Sequence, residues 1–415
     1  MTRTHVHPLD YLDTTADVDA FMASIATSHA IALDTEGASF HRFVDRIYLL
    51  QLSTDERSAI IDPLPIGTPA ALGAMLEDPA VEVVFHDADY DLRLLHQDYG
   101  WRITNIFDTR IAAQLLGIPA FGLAALLEKY FGLKVDKKHQ RADWSMRPLT
   151  PDMLEYAAQD TRHLLELRDL LHGELEHKGR WAWAAEEFSR LTGTRWEPED
   201  PGSSFLRMKG ARDLSRRELA RLKELVQWRD DVAAQLDRST FRVVNNDVLF
   251  DMARSGATAR DQLAAIKGMP RGMLERQSAE MLAAIARGDA VSEGDLPRFP
   301  KSARWDKDPE FDGKVSKLKT VRDEAAKRLA IDPGVLCSRE RMEAVARRAP
   351  QTLAELDEVK ELRRWQVAEM GEEFVRAMTG ASPSPAQVAA GERNGGASGA
   401  AGTPARAGDS PYRDG

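Results

Sequence analysis

The stretch LDTEGASFHRFVDRIYLLQLS, residues 33–53, continues the apolar run AIAL. AIALDTE and IYLLQLS both read as strands, yet the first ends in Asp34 and Glu36. Side chains of a strand alternate between faces, so Asp34 and Glu36 share one face and Thr35 points to the other. Two carboxylates side by side repel and raise each other's pKa. A divalent cation between them makes the pairing favourable. The alternative is a strand end that runs into solvent, where acids are harmless.

Further carboxylates bear on that choice. VEVVFHDADYDLRLLHQDYG (81–100) reads as a buried strand followed by a helix. Asp87 or Asp89 can cap that helix, and Asp91 falls in its first turn, where an acid also suits the helix dipole. His86 beside it reads as a structural histidine. TPDMLEYAAQDTRHLLELRDLL (150–171) has a helix start in Thr150 at the N-cap and Pro151 at the first helical position. Tyr156 and Asp160, four apart, stack on one face of that helix. LKVDKKHQRADWSMR (133–147) sets Lys134, Lys137, Lys138, Arg141 and Arg147 against Asp136 and Asp143, with Trp144 among them. Basic residues with an interleaved aromatic suit a single-stranded backbone and a stacked base. A solvated loop around a core tryptophan is the other reading, and both stand. Arg46 and Gln51, flanking the second strand, are further candidates for substrate contact.

The 415 residues allow two or three domains, and 43% hydrophobic with 29% charged content is ordinary for a soluble globular protein. The one cysteine, Cys337, excludes an internal disulfide framework and a cysteine-rich zinc site and suits a reducing compartment. The first residues carry no apolar signal core and no run of apolar residues is long enough to span a bilayer, so a cytoplasmic location is expected. A net charge of −10 argues against a surface coated in nucleic acid and leaves room for a local basic groove. Residues 1–195 mix strand-like runs, SAIIDPL among them, with helical patterns. TGTRWEPEDPGSSF (192–205) reads as a linker. Helical periodicity dominates 206–380, and a shift of 93 residues superposes WRDDVAAQL (228–236) on VRDEAAKRL (321–329), which predicts two copies of one small helical module. Chance likeness of two amphipathic segments is the alternative. Residues 381–415, rich in Gly, Ala, Ser and Pro, are expected to be disordered.

Asp34 and Glu36 on a strand, Asp91 after a later strand, and Tyr156 with Asp160 on a helix resemble the three motifs of the DEDDy 3′→5′ exonucleases. DWSMRPLTPDMLEYAAQDTRHLLEL (143–167) is similar to the third motif of the ribonuclease D family with its approach loop. The helical repeats resemble paired HRDC modules, and FLRMKGARDLSRRELARLKELVQWRD (205–230) is similar to the start of the first.

The resemblance implies a ribonuclease H-like α/β exonuclease domain over 1–195, a mixed sheet flanked by helices. Two small all-α bundles, 206–290 and 306–380, follow it. It implies a metal-dependent 3′→5′ exoribonuclease that releases mononucleotides, with RNA 3′ ends, tRNA precursors in particular, as substrate and a monomeric chain. Two ions of Mg²⁺ or Mn²⁺, roughly 3.5–4 Å apart, serve such chemistry. On this resemblance Asp34, Glu36 and Asp160 hold the first, Asp34 bridges to the second, Asp91 acts there through water, and Tyr156 orients the attacking water. GAS after Glu36 departs from the aromatic that relatives often carry, so Phe40 or Phe43 would supply the wedge against the terminal base. Arg216, Arg217, Lys267, Arg271 and Lys360 in the repeats would guide structured RNA. A DNA 3′→5′ exonuclease and a non-catalytic nucleic-acid-binding adaptor are the alternatives, the latter disfavoured because all four carboxylates and the tyrosine are present.

Overall fold

The computed structural model describes residues 9–135, 138–198, 200, 202–300 and 309–380. By internal contacts the chain divides into two compact units, Met1–Asp306 with Leu329–Leu336, and Lys307–Arg328 with Cys337–Gly415. The nuclease half and the first helical repeat thus fall in one unit.

That unit is built on a six-stranded mixed sheet: β1 Leu9–Leu12, β2 Ala30–Glu36, β3 Leu49–Ser53, β4 Ser58–Ile61, β5 Glu82–Phe85 and β6 Ile106–Asp108, in the order β1-β4-β3-β2-β5-β6. β3 runs antiparallel to β2 and β4, whereas β2 is parallel to β5 and β5 to β6. The four longer strand signals in the sequence correspond to β2–β5. The edge strands escape the sequence reading: β6 has only three residues, and β1, LDYL, is a half-buried strand without the continuous apolar run that marks β4 and β5. The flanking helices are α1 Thr15–Ser24, α2 Pro63–Ile66, α3 Ala70–Leu76, α4 Asp89–Tyr99, α5 Thr109–Leu115, α6 Leu123–Phe131, α7 Pro151–Arg162, α8 Leu164–His177 and α9 Trp181–Leu191.

Alternation along the strands sorts the two faces. Ile31, Leu33, Leu50, Leu52, Val83 and Phe85 join one core with Phe21 of α1, Leu72 and Leu76 of α3, and Leu92 and Leu95 of α4. The other face, through Leu49 and Ile60, packs on Ala157 and Ala158 of α7 and on Trp144. Two alanines on the buried side of α7 let it lie close to the sheet, and a hydrogen bond of 2.8 Å between the hydroxyls of Ser53 and Thr161 pins it there. α7 begins as its sequence predicts, with the Thr150 side chain accepting from the Met153 amide and Pro151 in the first turn.

The start of α4 differs from the sequence expectation. Neither Asp87 nor Asp89 caps it. Asp108, at the end of β6, accepts from the amides of Asp87 (3.2 Å) and Ala88 (2.8 Å) as well as capping α5. Asp87, at φ 73°, pairs with Arg110, and Asp89 pairs with Arg93 one turn on.

The helical half contains α10 Ser204–Arg207, α11 Arg216–Leu236, α12 Thr240–Val243, α13 Asn246–Ser255, α14 Arg260–Ala264, α15 Arg271–Ala290, α16 Pro309–Leu329, α17 Pro333–Leu336, α18 Arg339–Arg348, α19 Leu353–Asp357 and α20 Arg364–Thr379. The 93-residue shift carries both bounds of α11, α12, α13 and α14 onto those of α16, α17, α18 and α19, and the start of α15 onto that of α20. Even the caps repeat, Asn245 before α13 and Ser338 before α18. Chance likeness does not reproduce element boundaries, so the module is a true repeat. The first copy buries Leu222, Leu225, Trp228, Leu249, Met252 and Ile285 together. The second buries Leu318, Met342, Val345, Leu356, Trp365 and Phe374.

Two of the basic positions singled out in the repeats have internal work. Arg217 donates to the carbonyls of Gly288, Asp289 and Val291, and Arg216 to those of Glu293 and Leu296, so both close the C-terminal end of α15 and the turn after it. Lys267, Arg271 and Lys360 are exposed. The 381–415 tail lies outside the described residues.

Candidate active site

β2 carries the centre of the site. Asp34 pairs across to Gln51 and Glu36 to Leu49, on the face that receives α7. Asp160 comes down from α7, and one oxygen from each of Asp34, Glu36 and Asp160 lies within 4.8 Å of the others. Thr35 points to the opposite face, as alternation demands. There its amide (3.1 Å) and hydroxyl (2.5 Å) both donate to Oδ1 of Asp91, the fourth carboxylate, on α4. Sequence reasoning did not single out Thr35. The available signal was that a residue between two same-face acids must serve the other face.

Burial and mutual repulsion dominate the electrostatics. Asp34 is raised well above the usual carboxylate range by burial first, then by Asp91, Asp160 and Glu36. Glu36 is raised likewise by burial, Asp160 and Asp91. Burial pushes Asp91 up to about 7 and Asp160 up to about 6. Four acids in this state resist full ionisation unless a cation joins them.

Asp34, Glu36 and Asp160 open on a cleft of about 470 Å³, bounded also by Tyr156, His86 and the first turn of α6, Gly122–Ala125, whereas Asp91 is not part of its lining. Tyr156 stands one turn before Asp160, its ring stacked on Trp144 with centroids 6.1 Å apart and set edge-on to His139 at 5.7 Å. His86, read from sequence as structural, lines this cleft. Its Nδ1 lies 2.9 Å from the Thr109 hydroxyl, which itself donates to the Phe85 carbonyl. The Thr109 oxygen must therefore accept from His86, which leaves Nε2 as an acceptor. Burial, with help from Arg110, lowers His86 to about 4 and keeps it neutral.

The remaining sequence candidates scatter. Trp144 is 1% exposed and sits in the core under α7, so it has no open face for a base. Trp144→Ala is expected to cost about 3–5 kcal/mol in urea unfolding, and to reduce turnover by letting α7 shift. Gln51 is fully buried, and among the described residues its side-chain amide has no hydrogen-bond partner. Arg147 grips Asp62 and the carbonyls of Trp144 and Tyr48, holding the 144–147 loop against the sheet. The Arg46 guanidinium lies over the Tyr48 ring at 5.3 Å. Lys138 is 3.5 Å from Asp152, and Lys137 lies outside the described residues. Phe40, Phe43 and Arg141 are exposed. The loop after Glu36 is tied to α4, because Asp45 accepts from the Ala38 amide (3.2 Å) and the Tyr90 hydroxyl (2.6 Å).

A mixed sheet whose central strand ends in paired acids, completed by an acid from α4 and an acid with a tyrosine from α7, defines a 3′–5′ exonuclease of the ribonuclease H-like class. The 3′-5′ exonuclease family profile matches residues 9–176, and the HRDC domain profile matches 218–285 and 313–378. The chain is 30% identical over 336 residues to ribonuclease D of Granulibacter bethesdensis, covering 80% of this chain and 85% of that one. It is 32% identical over 286 residues to ribonuclease D of Cronobacter turicensis, covering 68% and 77%. Its fold matches the crystal structure of Escherichia coli RNase D, an exoribonuclease involved in structured RNA processing, with a TM-score of 0.71, 25% identity, and coverage of 91% of this chain and 100% of that one. The chain belongs to the ribonuclease D family and is a 3′–5′ exoribonuclease.

Proposed function

We propose that the enzyme removes nucleotides one at a time from RNA 3′ ends with two divalent cations, Mg²⁺ or Mn²⁺, and that tRNA precursors are among its substrates. One observation carries the metal reading: the oxygens of Asp34, Glu36 and Asp160 converge within 4.8 Å in a buried setting that opposes their ionisation. An all-oxygen, carboxylate donor set fits Mg²⁺ or Mn²⁺ and does not favour zinc. Asp34, Glu36 and Asp160 would hold one ion, and Asp34 with Asp91 the other. Such ions, when bound, neutralise charge on the scissile phosphate and favour ionisation of water. Thr35 fixes the Asp91 carboxylate by two hydrogen bonds to its Oδ1. The Tyr156 hydroxyl orients the attacking water, one helical turn from Asp160. Water adds to phosphorus, the bond to the upstream 3′ oxygen breaks, and a nucleoside monophosphate leaves.

We place the enzyme in the cytoplasm as a monomer. Its cysteine, Cys337, is free and buried, in keeping with a reducing compartment. Among the described residues no helix is long and apolar enough to cross a membrane.

Matched 3′-labelled RNA and DNA oligomers, digested with Mg²⁺, Mn²⁺ or EDTA, test the reading. Stepwise release of mononucleotides from RNA, abolished by EDTA, is expected. Full activity in EDTA, or internal cleavage, would overturn it, and faster digestion of DNA would favour the DNA exonuclease instead.

A further inference from the structure

We infer that an exposed patch shared by the nuclease and the first helical repeat is a stacking platform for the single-stranded RNA just upstream of the 3′ end. The inference rests on the exoribonuclease reading and extends it to a second contact surface. Phe40, in the loop after Glu36, and Phe241, on α12, meet edge-to-face with centroids 5.4 Å apart, and they remain 43% and 47% exposed. Rings that met only to bury a junction would not stay so open. The Arg141 guanidinium lies 5.1 Å over the Phe40 ring, an arrangement that strengthens a π surface against a polyanion.

The two sides of the patch are held in place by polar bonds. The Ser239 hydroxyl donates to the Phe40 carbonyl at 2.9 Å. Asp237, at the left-handed end of α11, accepts from Arg42 at 3.0 Å and from the Phe43 amide at 3.3 Å. Phe40 is therefore positioned by the helical repeat, only four residues beyond Glu36.

Charge selects the occupant. Arg141 over the Phe40 ring, and Arg238 and Arg242 in the chain segment that carries Phe241, are exposed, and none is in an ion pair among the described residues. An exposed guanidinium seated over an open ring, with two more exposed arginines in the segment of the second ring, on a chain of net charge −10, suits a phosphate backbone with bases that stack. An apolar protein segment has no use for the arginines.

Binding of a short single-stranded RNA in EDTA, where no cleavage occurs, tests the platform separately from the chemistry. Phe241→Ala is expected to weaken binding about tenfold. Phe241→Leu, which keeps an apolar contact with Phe40 but offers no ring, should behave like the alanine variant, and Phe241→Trp should restore affinity. Joint replacement of Arg141 and Arg242 by alanine should flatten the salt dependence of binding. Wild-type affinity in Phe241→Leu and Phe241→Ala would overturn the proposal. So would a dimer that Phe241→Ala dissociates with RNA affinity unchanged, since that assigns the patch to a second copy. Release of mononucleotides by the wild-type enzyme in Mg²⁺ judges the exoribonuclease reading on its own.

Discussion

Asp34→Asn or Asp160→Asn is expected to lower turnover by about a thousandfold or more, since each carboxylate removed forfeits several kcal/mol of transition-state stabilisation. The same substitutions should stabilise the metal-free protein at alkaline pH. Asp160 is held up to about 6 and Asp91 up to about 7 by burial, against ordinary values near 4. Between about pH 4 and pH 7 the folded protein therefore keeps protons that the unfolded chain has released. Its metal-free stability is greatest at the acid end of this window and falls as pH rises through it, by an amount on the order of 4 kcal/mol for a group such as Asp91. Cations need these acids ionised, so metal binding should release protons and tighten over the same window. Thermal unfolding at pH 5 and pH 8, with EDTA or Mn²⁺, checks both signs. Wild type should gain far more from Mn²⁺ at pH 8, and Asp160→Asn should gain little at either pH while unfolding later than wild type in EDTA at pH 8. A stabilisation by Mn²⁺ that shrinks as pH rises would contradict the assignment of these acids as the metal site.

Tyr156→Phe is expected to slow single-turnover cleavage by about a hundredfold and leave RNA affinity nearly unchanged, because an interaction made in the transition state affects rate and not binding. The ring itself, stacked on Trp144, stays in place in this variant, so the fold loses only a hydroxyl. Weaker binding with an unchanged single-turnover rate would instead make Tyr156 a substrate contact.

Much of the architecture was legible because it is written in short-range periodicity. Alternation placed Asp34 and Glu36 together and Thr35 opposite. Thr150 and Pro151 marked the start of α7, and the four-residue spacing of Tyr156 and Asp160 put them on one helical face. The 93-residue shift revealed the helical repeat, down to the bounds of its helices. Composition also showed where the strand-rich half yields to the helical half.

Other features needed partners distant along the chain. Thr35 holds Asp91 across 56 residues, and Arg147 grips Asp62 across 85. Nothing in the basic run 133–147 distinguishes Arg147, which clamps the sheet, from Arg141, which stays exposed. Trp144 is likewise placed in the core by the strands beneath it and not by its basic neighbours. Arg216 and Arg217 look like phosphate contacts until the end of α15 folds back to them. The bond from Ser239 to the Phe40 carbonyl spans 199 residues and fixes the loop beside the catalytic acids. The sequence by itself determined the four inner strands, the helix faces and the residue types that metal-dependent hydrolysis needs, because those depend on neighbours two to four positions away. Only the tertiary structure decided which arginines are drawn into internal hydrogen bonds and what positions the loop after Glu36, because the competing carbonyls and carboxylates reach those groups only when the chain has folded.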